Sequence, residues 1–122
     1  MTRALWLALA LGMAAPGGLR NFQDTAYAEA SLQKKPTVVF VAATWCPVCK
    51  AQEAALTELL KQKEFAGVVV LKVDFDDQAD VAKRFKASSQ STIIAFKQGQ
   101  EIGRWVGETN RDRIAIMLKR TL

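Results

Sequence analysis

The sequence predicts a single α/β domain in which a central mixed β-sheet of about four strands is flanked by helices. Three observations carry this expectation. β-Branched and aromatic runs alternate with segments of helical period; the first strand, helix and strand have the spacing of a parallel crossover; and a short Gly-containing connection joins the last two strand-like runs. With 122 residues, half of them hydrophobic, the chain suffices for one core and is too short for two ordinary domains.

The first segment reads as an address rather than as structure. Arg3 precedes an uncharged apolar stretch from Ala4 to Ala15, the layout of a secretory signal peptide. That stretch falls short of the roughly 20 apolar residues a membrane-spanning helix needs, so cleavage is expected rather than anchoring. The division is therefore a signal peptide over 1–18 and a folded domain over 19–122. Cleavage after Ala14 is preferred to cleavage after Ala28, because Phe22, Ala26, Tyr27 and Ala30 are spaced for a helix face over 22–32. No cysteine stands nearby for lipid attachment.

Thr37 to Ala42 is a continuous β-branched and aromatic run, as in a central strand covered on both faces. From Pro47 the period changes: Ala51, Ala55 and Leu59, with Leu56 and Leu60 beside them, predict an amphipathic helix to about Lys63, and Pro47 suits its first turn. Val68 to Val73 reads as a second buried strand and Asp80 to Phe85 as a short helix. Thr92 to Lys97 and Glu101 to Val106 flank Gln98, Gly99 and Gln100, which predicts an antiparallel hairpin. A last helix starts at a capping-box-like Thr109 to Asp112, with Ile114, Ile116 and Leu118 as its apolar side.

Charge and composition remove several function classes. The net charge of +5 arises from 17 basic and 12 acidic residues scattered along the chain, an ordinary solvated surface with no nucleic-acid partner implied. There is no histidine, which eliminates Cys–His nucleophile pairs, Cys2His2 zinc sites and imidazole acid–base chemistry. Chemistry near neutral pH falls to two cysteines, Cys46 and Cys49. They are too few for a four-coordinate metal site within one chain and too close to staple distant segments, so a redox pair remains.

A strand delivering Thr44, Trp45 and Cys46 to a helix start places Cys46 where unpaired backbone N–H groups and the helix dipole favour a thiolate. Cys49, one turn further on, lies close enough to close a disulfide and is expected to be shielded, with Cys46 exposed at an edge. Cys46 is then the nucleophile and Cys49 the resolving thiol of a disulfide exchange.

With Ala43 to Lys50 as its signature, the chain resembles the thioredoxin superfamily from about Phe22 to Leu122; Phe96 to Gln100 resembles that family's hairpin, and Gly107 the glycine that closes the next strand. The resemblance implies the thioredoxin fold, a protein-disulfide oxidoreductase activity with Cys46 and Cys49 catalytic, no bound organic cofactor, a monomer, and protein thiols or disulfides as partners. It further implies that Trp45, Pro47, Gln90, Ser91 and Thr92 bind substrate. There are three departures from the family pattern. Ser91 stands where the family has a cis-proline before Thr92, and the Gln90–Ser91 peptide is expected to be trans, since a cis bond before a non-proline residue costs about 2.5 to 4 kcal/mol. Ser91→Pro is accordingly expected to restore the family's loop. Phe40 replaces a buried acid that assists proton transfer, leaving that task to water or to a group from elsewhere in the fold. Pro47 and Val48 separate the cysteines in place of Gly-Pro.

The expected function is that of a periplasmic thiol-disulfide oxidoreductase. A reductase fed by a DsbD/CcdA-type membrane electron carrier fits better than an oxidant with a helical insertion, for which the chain has no room. The alternative is a metal or iron-sulfur module in which two chains each supply Cys46 and Cys49 to one four-thiolate site, an idea prompted by the missing proline at Ser91.

Overall fold

The computed structural model describes residues 17–122. They form β1 (Gly18–Asn21), α1 (Asp24–Leu32), β2 (Thr37–Ala42), α2 (Pro47–Leu60), a 3-10 turn (Lys63–Phe65), β3 (Val69–Asp74), α3 (Ala79–Arg84), β4 (Thr92–Lys97), β5 (Gln100–Val106) and α4 (Arg111–Thr121). The sheet order is β1-β3-β2-β4-β5. β1 and β2 run parallel to β3, while β4 pairs antiparallel with both β2 and β5.

The run from Thr37 to Ala42 has no polar alternation because both of its faces are covered: all six residues are buried. Val38, Phe40 and Ala42 point into a core with Leu56 and Leu59 of α2 and Ile114, Met117 and Leu118 of α4. Val39 and Val41 point the other way, toward Ala26 and Ala30 of α1 and Val81 and Ala82 of α3. Helices thus flank the sheet on both sides, and β2 ends in the middle of it.

Several expectations need adjustment. The sheet has five strands rather than about four, because Gly18–Asn21 pairs with β3 from Gly18 opposite Val69 to Asn21 opposite Lys72. Gly18, Arg20 and Asn21 carry no hydrophobic alternation, so backbone pairing makes this strand without a side-chain signal. Phe22 precedes the helix instead of lying on it, yet it is buried and stacks edge-on against Phe85 at 5.8 Å between ring centroids. The signal-peptide expectation falls mainly on residues 1–16, outside the described residues, but the folded part reaches back past its boundary at 18. At Gly17 a Cβ would stand 2.1 Å from the Ala66 carbonyl oxygen, so only glycine passes there. Among the described residues no helix is long and apolar enough to cross a membrane.

Other differences are local. α2 stops at Leu60, and its buried stripe is Cys49, Gln52, Leu56 and Leu59, with Ala51 exposed. The hairpin turns on two residues, Gln98 and Gly99, both at positive φ, as the right-handed twist of paired strands requires. The last helix is capped by Asn110, whose side chain accepts from the Arg113 N–H at 3.0 Å. It buries Met117 rather than Ile116, which is 52% exposed.

Candidate active site

After β2 the chain crosses Ala43 to Trp45 and enters α2 with Cys46 as its N-cap. Pro47 occupies the first helical turn, where its missing N–H has no intrahelical role and its fixed φ suits the helix. Cys46 performs the capping that serine usually performs: its Sγ accepts the Cys49 N–H at 3.1 Å. The same bond directs a backbone donor and the positive end of a 14-residue helix at this sulfur. Both thiols are free.

The expected contrast in exposure is absent. Cys46 is 4% and Cys49 2% exposed, so burial alone does not rank them. The exposed surface around them belongs to Trp45, Pro47 and Val48. Trp45, 59% exposed, is pinned by its indole N–H donating to Asp76 Oδ2 at 2.8 Å, a partner 31 residues away that the sequence did not indicate.

Their electrostatic settings do differ. The Cys49 thiol is pushed from 9.0 to about 11, chiefly by burial and next by its hydrogen bond with Cys46, against backbone hydrogen bonds from Ala43 and Ser91 that pull it down. Cys49 therefore stays protonated across the neutral range. Because its folded value is raised, the stability it contributes to the reduced protein is present below pH 9 and is lost as pH rises through about 11. With iodoacetamide at pH 7 Cys46 should be alkylated first, and the Cys49 rate should climb about tenfold per pH unit up to pH 11. Peptide mapping after timed quenching checks this; faster labelling of Cys49 at pH 7 would reverse the assignment of nucleophile and resolver.

The loop before β4 comes to the same place. The Gln90–Ser91 peptide is trans, as expected, and Ser91 adopts φ +59, a left-handed conformation uncommon for serine. The Ser91 carbonyl accepts from the Gly107 N–H at 2.9 Å and from Gln52 Nε2 at 3.0 Å. Gly107, at φ +76 just past β5, is where only glycine turns without strain. Gln90 is half-buried; Thr92 is buried, its hydroxyl donating to the Ser89 carbonyl at 2.8 Å. Of the residues expected to bind substrate, Trp45 and Pro47 are exposed beside Cys46, Gln90 is half-buried, Ser91 is buried with its carbonyl already taken, and the Thr92 side chain is spent on the loop itself.

Phe40 is wholly buried in the core that contains both cysteines. Three polar residues escaped the sequence reading. Gln52 is wholly buried one turn beyond Cys49. Glu53 and Lys72 pair at 2.7 Å, and with Asp74 they line a cleft of about 570 Å³ that has Cys49 in its wall. Gln52 was legible in principle, as the one polar residue on the stripe Cys49, Gln52, Leu56 and Leu59. No group of three potential metal ligands gathers among the described residues.

A free CxxC at the start of a helix that follows the central strand of such a sheet invites comparison with known proteins, and the thioredoxin family model matches residues 19–120. The chain belongs to the thioredoxin family. The mitochondrial thioredoxin of Mus musculus is 33% identical over 87 residues, 71% of this chain and 52% of its own. A thioredoxin of Echinococcus granulosus is 40% identical over 65 residues, 53% of this chain and 59% of its own. This thioredoxin-family chain therefore spans about half the length of the curated relatives it matches. Among solved structures, Trxlp from Edwardsiella tarda superposes with a TM-score of 0.80 at 39% identity, covering 83% of this chain and 98% of that one. Thioredoxin h of Nicotiana alata superposes with a TM-score of 0.74 at 27% identity, covering 87% and 94%.

Proposed function

We propose that this chain is an exported thiol-disulfide oxidoreductase working in the reducing direction on protein disulfides. The observation that carries the reading is the bond from the Cys49 N–H to Cys46 Sγ at the head of α2, which puts the attacking sulfur on a backbone donor and the resolving sulfur one turn inside. The Cys46 thiolate attacks one sulfur of a substrate disulfide; an S–S bond forms to Cys46, and the other substrate sulfur leaves as a thiolate that takes a proton from water. Cys49 then loses its proton and attacks Cys46. The second substrate sulfur departs, the substrate ends as two thiols, and the protein ends with a Cys46–Cys49 disulfide.

The proton of Cys49 needs an exit, since this thiol is held up at about 11. Phe40 offers none. The cleft beside Cys49 does, with the Glu53 and Asp74 carboxylates in its walls to receive the proton through water. Export is supported by the apolar leader, and reduction by the short connections of the sheet, which carry no inserted helical unit among the described residues. A DsbD/CcdA-type membrane carrier would return electrons to the disulfide on the far side of the membrane.

The reduction potential of the Cys46/Cys49 couple tests the direction: a value near about −270 mV supports it, and one near about −120 mV overturns it in favour of an oxidant. Export is tested on the same material. Protein recovered from a bacterial periplasm should begin between Ala15 and Gly17 by intact mass, because a later start removes residues that pair with β3 or pass Ala66.

A further inference from the structure

Ser91 puts a backbone N–H where a proline would have none. That N–H donates to the Cys49 sulfur, and the Ala43 N–H, just past the end of β2, donates to it as well. Two donors from separate segments thus meet on one sulfur. A thiol or disulfide sulfur is a weak acceptor, so neither resting state gives these two buried N–H groups a strong bond. A thiolate does. Cys49 carries that charge only while it resolves a mixed disulfide, because burial, and next the hydrogen bond with Cys46, hold its thiol up at about 11. The donors are therefore aimed at a charge that develops during the reaction, an arrangement that lowers a barrier rather than strengthening a ground state.

Their aim is fixed by the surroundings. Ser91 is buried at φ +59, its hydroxyl turned away to the Gln90 carbonyl. Its own carbonyl is held from the end of β5 by the Gly107 N–H and from α2, the helix that carries Cys49, by Gln52 Nε2. Charged side chains give no comparable help. In the cleft beside Cys49, Lys50 and Lys72 are set against Glu53, Asp74 and Asp77, and Cys46 on the other side opposes a second negative charge. We propose that the Ser91 N–H is catalytic, joining the Ala43 N–H in a backbone cradle that holds the Cys49 thiolate during resolution, and that Gln52 is a positioning residue acting through the Ser91 carbonyl. This rests on the exchange activity proposed above. Where Phe40 leaves no buried acid to draw the proton off, the cradle favours its departure by holding the anion left behind.

The test replaces Ser91 by its α-hydroxy acid, which puts an ester oxygen in place of the N–H, and follows single turnovers with a disulfide peptide by acid quenching at pH 7. Resolution of the mixed disulfide should slow about three- to tenfold, while its formation by Cys46 stays within about twofold of wild type. Ser91→Gly keeps the N–H and should resolve within about twofold of wild type. Gln52→Met keeps it but loosens its aim, and should slow resolution about threefold with formation unchanged. A merely structural N–H would instead lower the melting temperature and slow both steps together. That pattern, or unslowed resolution in the ester protein, overturns the proposal; should the ester protein fail to fold, unslowed resolution in Gln52→Met does so. A wild-type protein that forms no mixed disulfide at all would overturn the exchange reading itself, which keeps the two failures apart.

Discussion

Cys46→Ser should abolish disulfide reduction, by at least roughly 10³-fold, without unfolding the protein. The separation of these effects follows from the two duties of Cys46. As N-cap its Sγ accepts the Cys49 N–H, and a serine hydroxyl is among the best replacements for that purpose. As the proposed nucleophile it has no substitute, because a hydroxyl is not ionised near neutral pH and does not attack disulfides. Cys49→Ser should behave differently. It keeps the attacking sulfur but lacks the resolver, so mixed disulfides with partner proteins should accumulate as a ladder on non-reducing gels. The Cys46→Ser protein should show none. Equal trapping by both variants would contradict the order of attack, and a Cys46→Ser protein that had lost its circular dichroism signal would show that the cap had been misjudged. Cys46→Ala removes the cap as well and should melt lower than Cys46→Ser by the equivalent of about 1 kcal/mol.

Much of the architecture was legible because it rests on side-chain period. Thr37–Ala42 and Thr92–Lys97 coincide with the strands expected of uninterrupted β-branched runs, and burial on both faces is why those runs lack polar alternation. Pro47 marked the helix start for the same local reason. What escaped notice depends on partners distant in sequence. β1 exists because β3 offers a free edge, and nothing in Gly18–Asn21 announces it. The buried face of α4 is set by the sheet beneath it, which selects Met117 over Ile116. At the site, the cysteine spacing predicted a pair at the head of α2 but not their nearly equal burial, since the cover over Cys46 depends on tertiary packing. The acid missing at Phe40 was visible in the sequence; the pairing of Glu53 with Lys72 across the cleft, joining residues 19 positions apart, was not.

The loop at Ser91 shows how a correct expectation can support a wrong consequence. The Gln90–Ser91 bond is trans, as a non-proline residue favours, yet proline cannot simply be put back. Its ring holds φ near −65°, whereas Ser91 stands at +59, so the backbone must swing through more than a right angle. That movement withdraws the carbonyl from both Gly107 and Gln52, and the ring removes the N–H whose hydrogen bond helps to hold Cys49. Ser91→Pro is therefore expected to cost roughly 3 kcal/mol and to lower the melting temperature by roughly 12 to 24 °C, with insulin reduction falling rather than rising. Ser91→Gly is the control. Glycine accepts positive φ without strain, and the serine hydroxyl bonds only to the adjacent Gln90 carbonyl, so this variant should stay within about 1 kcal/mol of the parent. Thermal unfolding and an insulin turbidity assay on the two variants decide the matter. If Ser91→Pro melted with the parent and reduced insulin faster, the left-handed turn at Ser91 would not be what holds this loop against Cys49, and the family's proline would be interchangeable with it.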